Sequence, residues 1–155
     1  MRMAELYPAE RTIVLGTHHF TADDIIRYAR QFDPQPFHVD AEAARNSLFG
    51  GLCASGWHTC AAWMKTFLAF WAAECLRLER EGKVPPRLGP AHGFRDLRWL
   101  KPVFAGDTIT YSATLLETRE QGSRPDRLID TTLCEGSNQH GEPVIRFESS
   151  VMEFV

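Results

Sequence analysis

Two periodicities divide the chain. Ile25, Ile26, Ala29 and Phe32 recur at near-helical intervals behind Thr21, whose hydroxyl suits a helix cap, and Asp23 and Asp24 set negative charge against the positive end of the helix dipole. The pattern predicts a short amphipathic helix over residues 21 to about 32, and Pro34, which disfavours helical geometry at Asp33, ends it there. A second short helical stretch, Ala41 to Ser47, leads into the turn Phe49-Gly50-Gly51. From about Gly56 the apolar residues Trp57, Cys60, Ala61, Trp63, Met64, Phe67, Leu68, Phe70, Trp71 and Leu76 fall on more than one face, which predicts a long helix buried on most sides. Glu74, Arg77, Glu79, Arg80 and Glu81 restore polarity, and Gly82 with Pro85 and Pro86 stops the helix.

Beyond this point the period changes. Phe94 to Leu100, Asp107 to Glu117, Arg127 to Glu135 and Val144 to Phe154 are rich in Thr, Ile, Val, Tyr and Phe and alternate in part, so they read as strands. Gly106, Gly122 with Pro125, and Asn138 to Gly141 punctuate them, and Arg11 to Leu15 is one more candidate strand at the front. One long apolar helix followed by successive antiparallel strands predicts an α+β fold, a sheet wrapped around a central helix. The length of 155 residues, without repeats or a linker, predicts one domain over residues 1–155.

Composition narrows the function classes. Apolar residues make up 44% and charged residues 24%, ordinary for a folded globular protein. A formal net charge of −3 leaves no basic surplus for a phosphate backbone, so nucleic acid is not the expected partner. The stretch from Met1 to Leu6 lacks the apolar core of a signal peptide and no segment is apolar over a membrane-spanning length, which predicts a cytoplasmic protein with no membrane partner. Cys53, Cys60, Cys75 and Cys134 form no C-x-x-C pair and are expected as free thiols. His18, His19, His58, His92 and His140 show no metal spacing, so no metal is expected, and Ser55 lacks the G-x-S-x-G setting of a nucleophile.

The chemistry concentrates in Asp33-Pro34-Gln35-Pro36-Phe37-His38, a carboxylate and an imidazole on a stretch that two prolines are expected to hold out of helix. Water held between the two groups can lose one proton while a second proton is delivered nearby, as hydration of a conjugated double bond requires. On spacing alone, the plainer reading is a turn-closing Asp33 and a packed surface histidine at position 38.

The stretch resembles the D-x-N-P-x-H motif of MaoC-like dehydratases and R-specific enoyl-CoA hydratases, with Asp33, Pro36 and His38 on the matching positions. Phe49 to His58 is similar to the family's small-residue approach to its central helix, and Leu100-Lys101-Pro102-Val103 through Gly106-Asp107 resembles its later K-P-V and G-D element. The three landmarks stand in the family's order over residues 20 to 155. Two positions depart from the pattern: Gln35 stands for asparagine, and Met64 falls where some bacterial hydratases carry a serine. Glu74 to Pro90 is longer than a minimal member needs and is expected to reshape or lid a substrate tunnel.

The resemblance implies a hot-dog fold, a homodimer, and reversible hydration of an enoyl thioester with R stereochemistry, as in fatty acid metabolism. Asp33 and His38 become the water-activating pair, the Gly56 N–H the oxyanion donor, and Gln35 and Ser55 supporting residues. Independently, a glycine at the start of the long helix combines unpaired N–H groups with close approach. No cofactor is implied beyond coenzyme A as part of an acyl-CoA substrate. Two alternatives stay open: a hot-dog thioesterase, which calls for a carboxylate on the central helix, and a non-catalytic acyl-CoA binding protein.

Overall fold

The Thr21 hydroxyl accepts the Asp24 N–H at 3.1 Å and starts a helix that ends on Asp33, as the sequence predicts. The structure is a computed structural model that describes residues 1–122 and 124–155. In chain order the elements are α1 (Met3–Leu6), β1 (Thr12–His19), α2 (Ala22–Phe32), α3 (Pro36–Val39), α4 (Ala41–Arg45), α5 (Gly56–Arg80), β2 (Arg87–Trp99), β3 (Thr108–Gln121), β4 (Arg124–Ser137) and β5 (Pro143–Phe154). The strands form one antiparallel sheet in the order β1-β3-β4-β5-β2, and α5 lies against it.

Two buried polar groups fix α5 on β3. Tyr111 Oη donates to the Thr59 carbonyl at 2.9 Å, and Trp63 Nε1 donates to the Ser112 carbonyl at 3.1 Å. Each gives an otherwise apolar interface a register, because a buried donor without its acceptor is costly. Phe20, Ile25, Ala62, Trp63, Ile109, Tyr111, Cys134 and Ile145 belong to the single core cluster between helix and sheet. Gly16, at φ +143° in a bulge of β1, packs so near Thr66 that a side chain there would press on α5.

Several expectations are corrected. The prolines do not keep the Asp33–His38 stretch out of helix: Pro36 occupies the first position of α3, where its missing N–H costs nothing, and His38 sits on that single turn. The strand expected over Phe94 to Leu100 begins at Arg87. Gly89, Pro90 and Gly93 read as punctuation, but β2 is an edge strand with bulges, where a residue without an N–H is tolerated. Glu74 to Pro90 comprises the last turns of α5, a short connection and the start of β2.

Strands β1, β3 and β4 each run past their predicted ends, and the single turn α1 was not anticipated. The Gly122 turn predicted between β3 and β4 includes Ser123, which lies outside the described residues. Helix α5 is less enclosed than its composition suggests. His58, Thr59, Ala62, Trp63 and Leu78 are buried, whereas Trp57, Met64, Leu68 and Leu76 are exposed on the chain by itself.

Candidate active site

Asp33 caps the C-terminus of α2, His38 sits on α3, and Ser55 precedes α5, so three elements meet at the first turn of the long helix. His38 Nε2 stands 3.4 Å from Asp33 Oδ2. That separation is beyond a good N–H···O hydrogen bond. His38 Nδ1 lies 2.6 Å from the Cys53 carbonyl oxygen, which can only accept, so Nδ1 carries a proton and, when the ring is neutral, Nε2 presents a lone pair.

Asp33 is held from both sides. Ser55 Oγ donates to Oδ2 at 2.7 Å and Gln35 Nε2 donates to Oδ1 at 2.8 Å. Partial burial by itself pushes the carboxyl pKa up, but these two hydrogen bonds, joined by the charge of His38 whenever that ring is protonated, outweigh it, and the net shift is downward. Asp33 is thus a carboxylate at neutral pH. A carboxylate oxygen and, in the neutral ring, an imidazole lone pair then stand 3.4 Å apart, near enough for one water molecule to reach both.

The pair lies in a cavity of about 480 Å³ whose walls include Phe37, Phe49, Gly56, Thr59 and Trp99. His38 is 6% exposed and Ser55 fully buried, whereas Gln35 holds Asp33 from the exposed side. As the first residue of α5, Gly56 has an N–H without an intrahelical partner at the positive end of a long helix. A Cβ built on Gly56 would fall deep inside van der Waals contact with the Trp99 indole. This gives the glycine a packing reason that the sequence did not show.

The structure therefore brings together Asp33, His38, Gln35, Ser55 and Gly56. Gln35, despite its extra methylene, reaches Asp33, and Met64 does not line this cavity. The sequence reading missed the Cys53 carbonyl, a backbone acceptor without a sequence signature, and Trp99, which closes over Gly56 and packs edge-on against Trp57 at 5.2 Å. Among the described residues no three His, Cys, Asp or Glu side chains gather as a metal site, and no helix is long and apolar enough to cross a membrane. All four thiols are free.

A long helix cradled by an antiparallel sheet defines a hot-dog fold. The chain belongs to the MaoC-like domain family, whose model matches residues 7–133. It is 31% identical over 130 residues to the uncharacterized protein YdeM of Bacillus subtilis, covering 84% of this chain and 83% of that one. A mesaconyl-CoA hydratase of Cereibacter sphaeroides is 35% identical over 60 residues, 39% of this chain and 17% of the relative. The crystal structure of a MaoC-like dehydratase from Rhodospirillum rubrum superposes with a TM-score of 0.80 at 35% identity, over 99% of this chain and 97% of the other.

Proposed function

We propose that the protein reversibly hydrates the C2–C3 double bond of an enoyl thioester, with an acyl-CoA as the substrate. The observation that carries this reading is the convergence of two proton acceptors, Asp33 Oδ2 and His38 Nε2, at 3.4 Å beside the free N–H of Gly56. Water held by both acceptors directs its oxygen at C3. One acceptor takes a water proton as the C3–O bond forms, and the negative charge moves through C2 to the thioester oxygen. The Gly56 amide stabilises that enolate-like oxygen. The acceptor then returns the proton to C2, restoring the carbonyl and the starting state of the pair. Because one water supplies both the hydroxyl and the C2 proton from one side, addition is syn. CoA enters as part of the substrate, and the cycle calls on no metal or redox cofactor.

A thioesterase reading needs a carboxylate on α5 near the thioester. Glu74 is the first acid on that helix, roughly 27 Å beyond Gly56 by the rise per residue, and it is paired with Arg77 at 2.7 Å. We further propose a homodimer, in which a second copy covers the β2 edge and the exposed face formed by Trp57, Met64 and Leu68.

Incubation with trans-2-enoyl-CoA esters of increasing chain length, beginning with crotonyl-CoA, tests the reaction when enoyl absorbance and free thiol are followed together. Loss of absorbance without thiol is expected. Thiol release in step with substrate loss would replace hydration by hydrolysis, and saturable binding without turnover by any ester would leave a binding protein.

A further inference from the structure

A second cavity, of about 260 Å³, lies between α2 and α5 and shares no lining residue with the one that holds Asp33 and His38. His58 and His18 line it, and Arg27, Lys65 and Asp24 also contribute. His58 is only 8% exposed, stacked on Tyr28 with ring centroids 4.4 Å apart and edge-on to Phe20 at 4.9 Å. This sandwich fixes the imidazole plane, yet Nδ1 of His58 is buried without a hydrogen-bond partner. So is Nε2 of His18, whose ring centroid is 6.3 Å away. Buried polar atoms are nearly always satisfied, so two orphans on residues that line one cavity point to an occupant beside them.

The charges around the cavity indicate what that occupant is. Arg27 and Lys65 contribute two cations, and the single acid, Asp24, is already paired with Arg27. Lys65 is exposed and makes no ion pair among the described residues. Burial first, and then the neighbouring His18, push the His58 pKa down to about 4, with Arg27 adding to the effect and Asp24 opposing it. Burial and then Lys65 also lower His18, with His19 adding to the effect. Both rings are therefore neutral near pH 7, each able to place an N–H at its orphan nitrogen, in a field that is positive on balance.

Two N–H donors with a lysine and an arginine match a compact anion that has several acceptor oxygens. Phe32, 67% exposed and also part of the lining, adds an aromatic face of the kind a nucleobase can stack on. We propose that the α2–α5 cavity is a phosphate-binding site, separate from the Asp33–His38 site, in which His18 and His58 satisfy phosphate oxygens and Lys65 with Arg27 balance their charge. The phosphate comes either as the free ion or as part of a nucleotide, such as the nucleotide end of a CoA ester. The site does not depend on the hydratase reading.

Histidine ring resonances of the whole protein, titrated with inorganic phosphate and separately with adenosine 3′,5′-bisphosphate, test the proposal. Saturable shifts at His18 and His58 are expected. Lys65→Glu, a surface substitution that leaves the core intact, should weaken binding about tenfold or more, the scale of losing one charge-assisted contact. Tighter binding of the bisphosphate, with shifts at Phe32, would identify a nucleotide as the source, and equal affinities would identify the free ion. The proposal is overturned if neither compound gives saturable shifts at these two rings, or if Lys65→Glu binds as tightly as the unmodified protein.

Discussion

His38 Nε2 faces Asp33 Oδ2 across 3.4 Å while its other ring nitrogen is fixed on the Cys53 carbonyl. The carbonyl determines which nitrogen carries the proton, and so leaves a lone pair beside a carboxylate. Two acceptors that cannot bond to each other are a holder for a proton donor, and water is the donor that hydration needs. If they act as a unit, Asp33→Asn and His38→Ala should each reduce turnover about a hundredfold or more, the usual scale of acid–base catalysis. Circular dichroism and melting should stay near those of the unmodified protein. Near-normal turnover in either variant would contradict the pairing.

Ser55 acts through Asp33, as a positioning residue. Ser55→Ala removes the donor to Oδ2, and the Asp33 pKa, held down by that bond, should rise. The acidic limb of the kcat profile should therefore move to higher pH, with kcat reduced about tenfold and KM little changed. Ser55→Thr, which keeps a hydroxyl, should restore part of the shift. An unmoved acidic limb in Ser55→Ala would show that the hydroxyl serves packing only.

Gly56 and Trp99 should be coupled. Gly56→Ala places a methyl group against the indole and should destabilise the protein by about 1–3 kcal/mol, the cost of overpacking. Trp99→Ala in the same chain should recover most of that loss, as a double-mutant cycle of melting curves can measure. Additive effects would mean that the two residues do not meet. A valine at position 56 is thus a poor probe of the oxyanion role, because it disturbs Trp99 before it disturbs the amide.

This coupling also marks where sequence reading stops. The Thr21 cap, the Pro34 stop, the long helix and the Asp33-x-x-x-x-His38 pair are local features, set by propensity and spacing within a few residues, and each stands where the sequence puts it. Trp99 over Gly56 joins positions 43 apart across a sheet edge, and nothing in either neighbourhood announces the contact. The beginning of β2 was hidden for a related reason: Gly89, Pro90 and Gly93 are loop formers by local rule, and only pairing with β5 makes them strand. Ser55 could be suspected because it adjoins Gly56, but its hydrogen bond to Asp33 needed the fold.

Asp130 and Glu153, on adjacent strands, form a buried acidic pair of the same long-range kind. Thr118 donates to Asp130 at 2.6 Å and the Met3 N–H to Glu153 at 2.9 Å. Burial, with Asp130 close by, pushes the Glu153 pKa up to about 7 from an ordinary 4.5. The folded state then holds more protons than the unfolded chain between those values, so stability is greatest below about pH 4.5 on this account and is lost as pH rises through 7. Glu153→Gln should melt higher than the unmodified protein at pH 8, by an amount equivalent to about 2 kcal/mol, and the advantage should shrink towards pH 5. A difference independent of pH would contradict the raised Glu153 pKa.

Sedimentation at micromolar concentration should show a dimer, because an edge strand and an exposed aromatic helix face are left for a second copy to cover. Trp57→Glu should shift the boundary towards the monomer. An unmodified protein that sediments as a monomer at full activity would remove the dimer from the account.

The most direct test of the Asp33–His38 water site is the fate of hydrogen during turnover of a trans-2-enoyl-CoA in D2O. A single water delivered by two acceptors on one face predicts one deuterium at C2, on the same side as the new C3 hydroxyl, with the product's thioester intact. It also predicts that Asp33→Asn loses deuterium incorporation and hydration together. Anti addition, or incorporation at an unchanged rate in Asp33→Asn, would contradict the account.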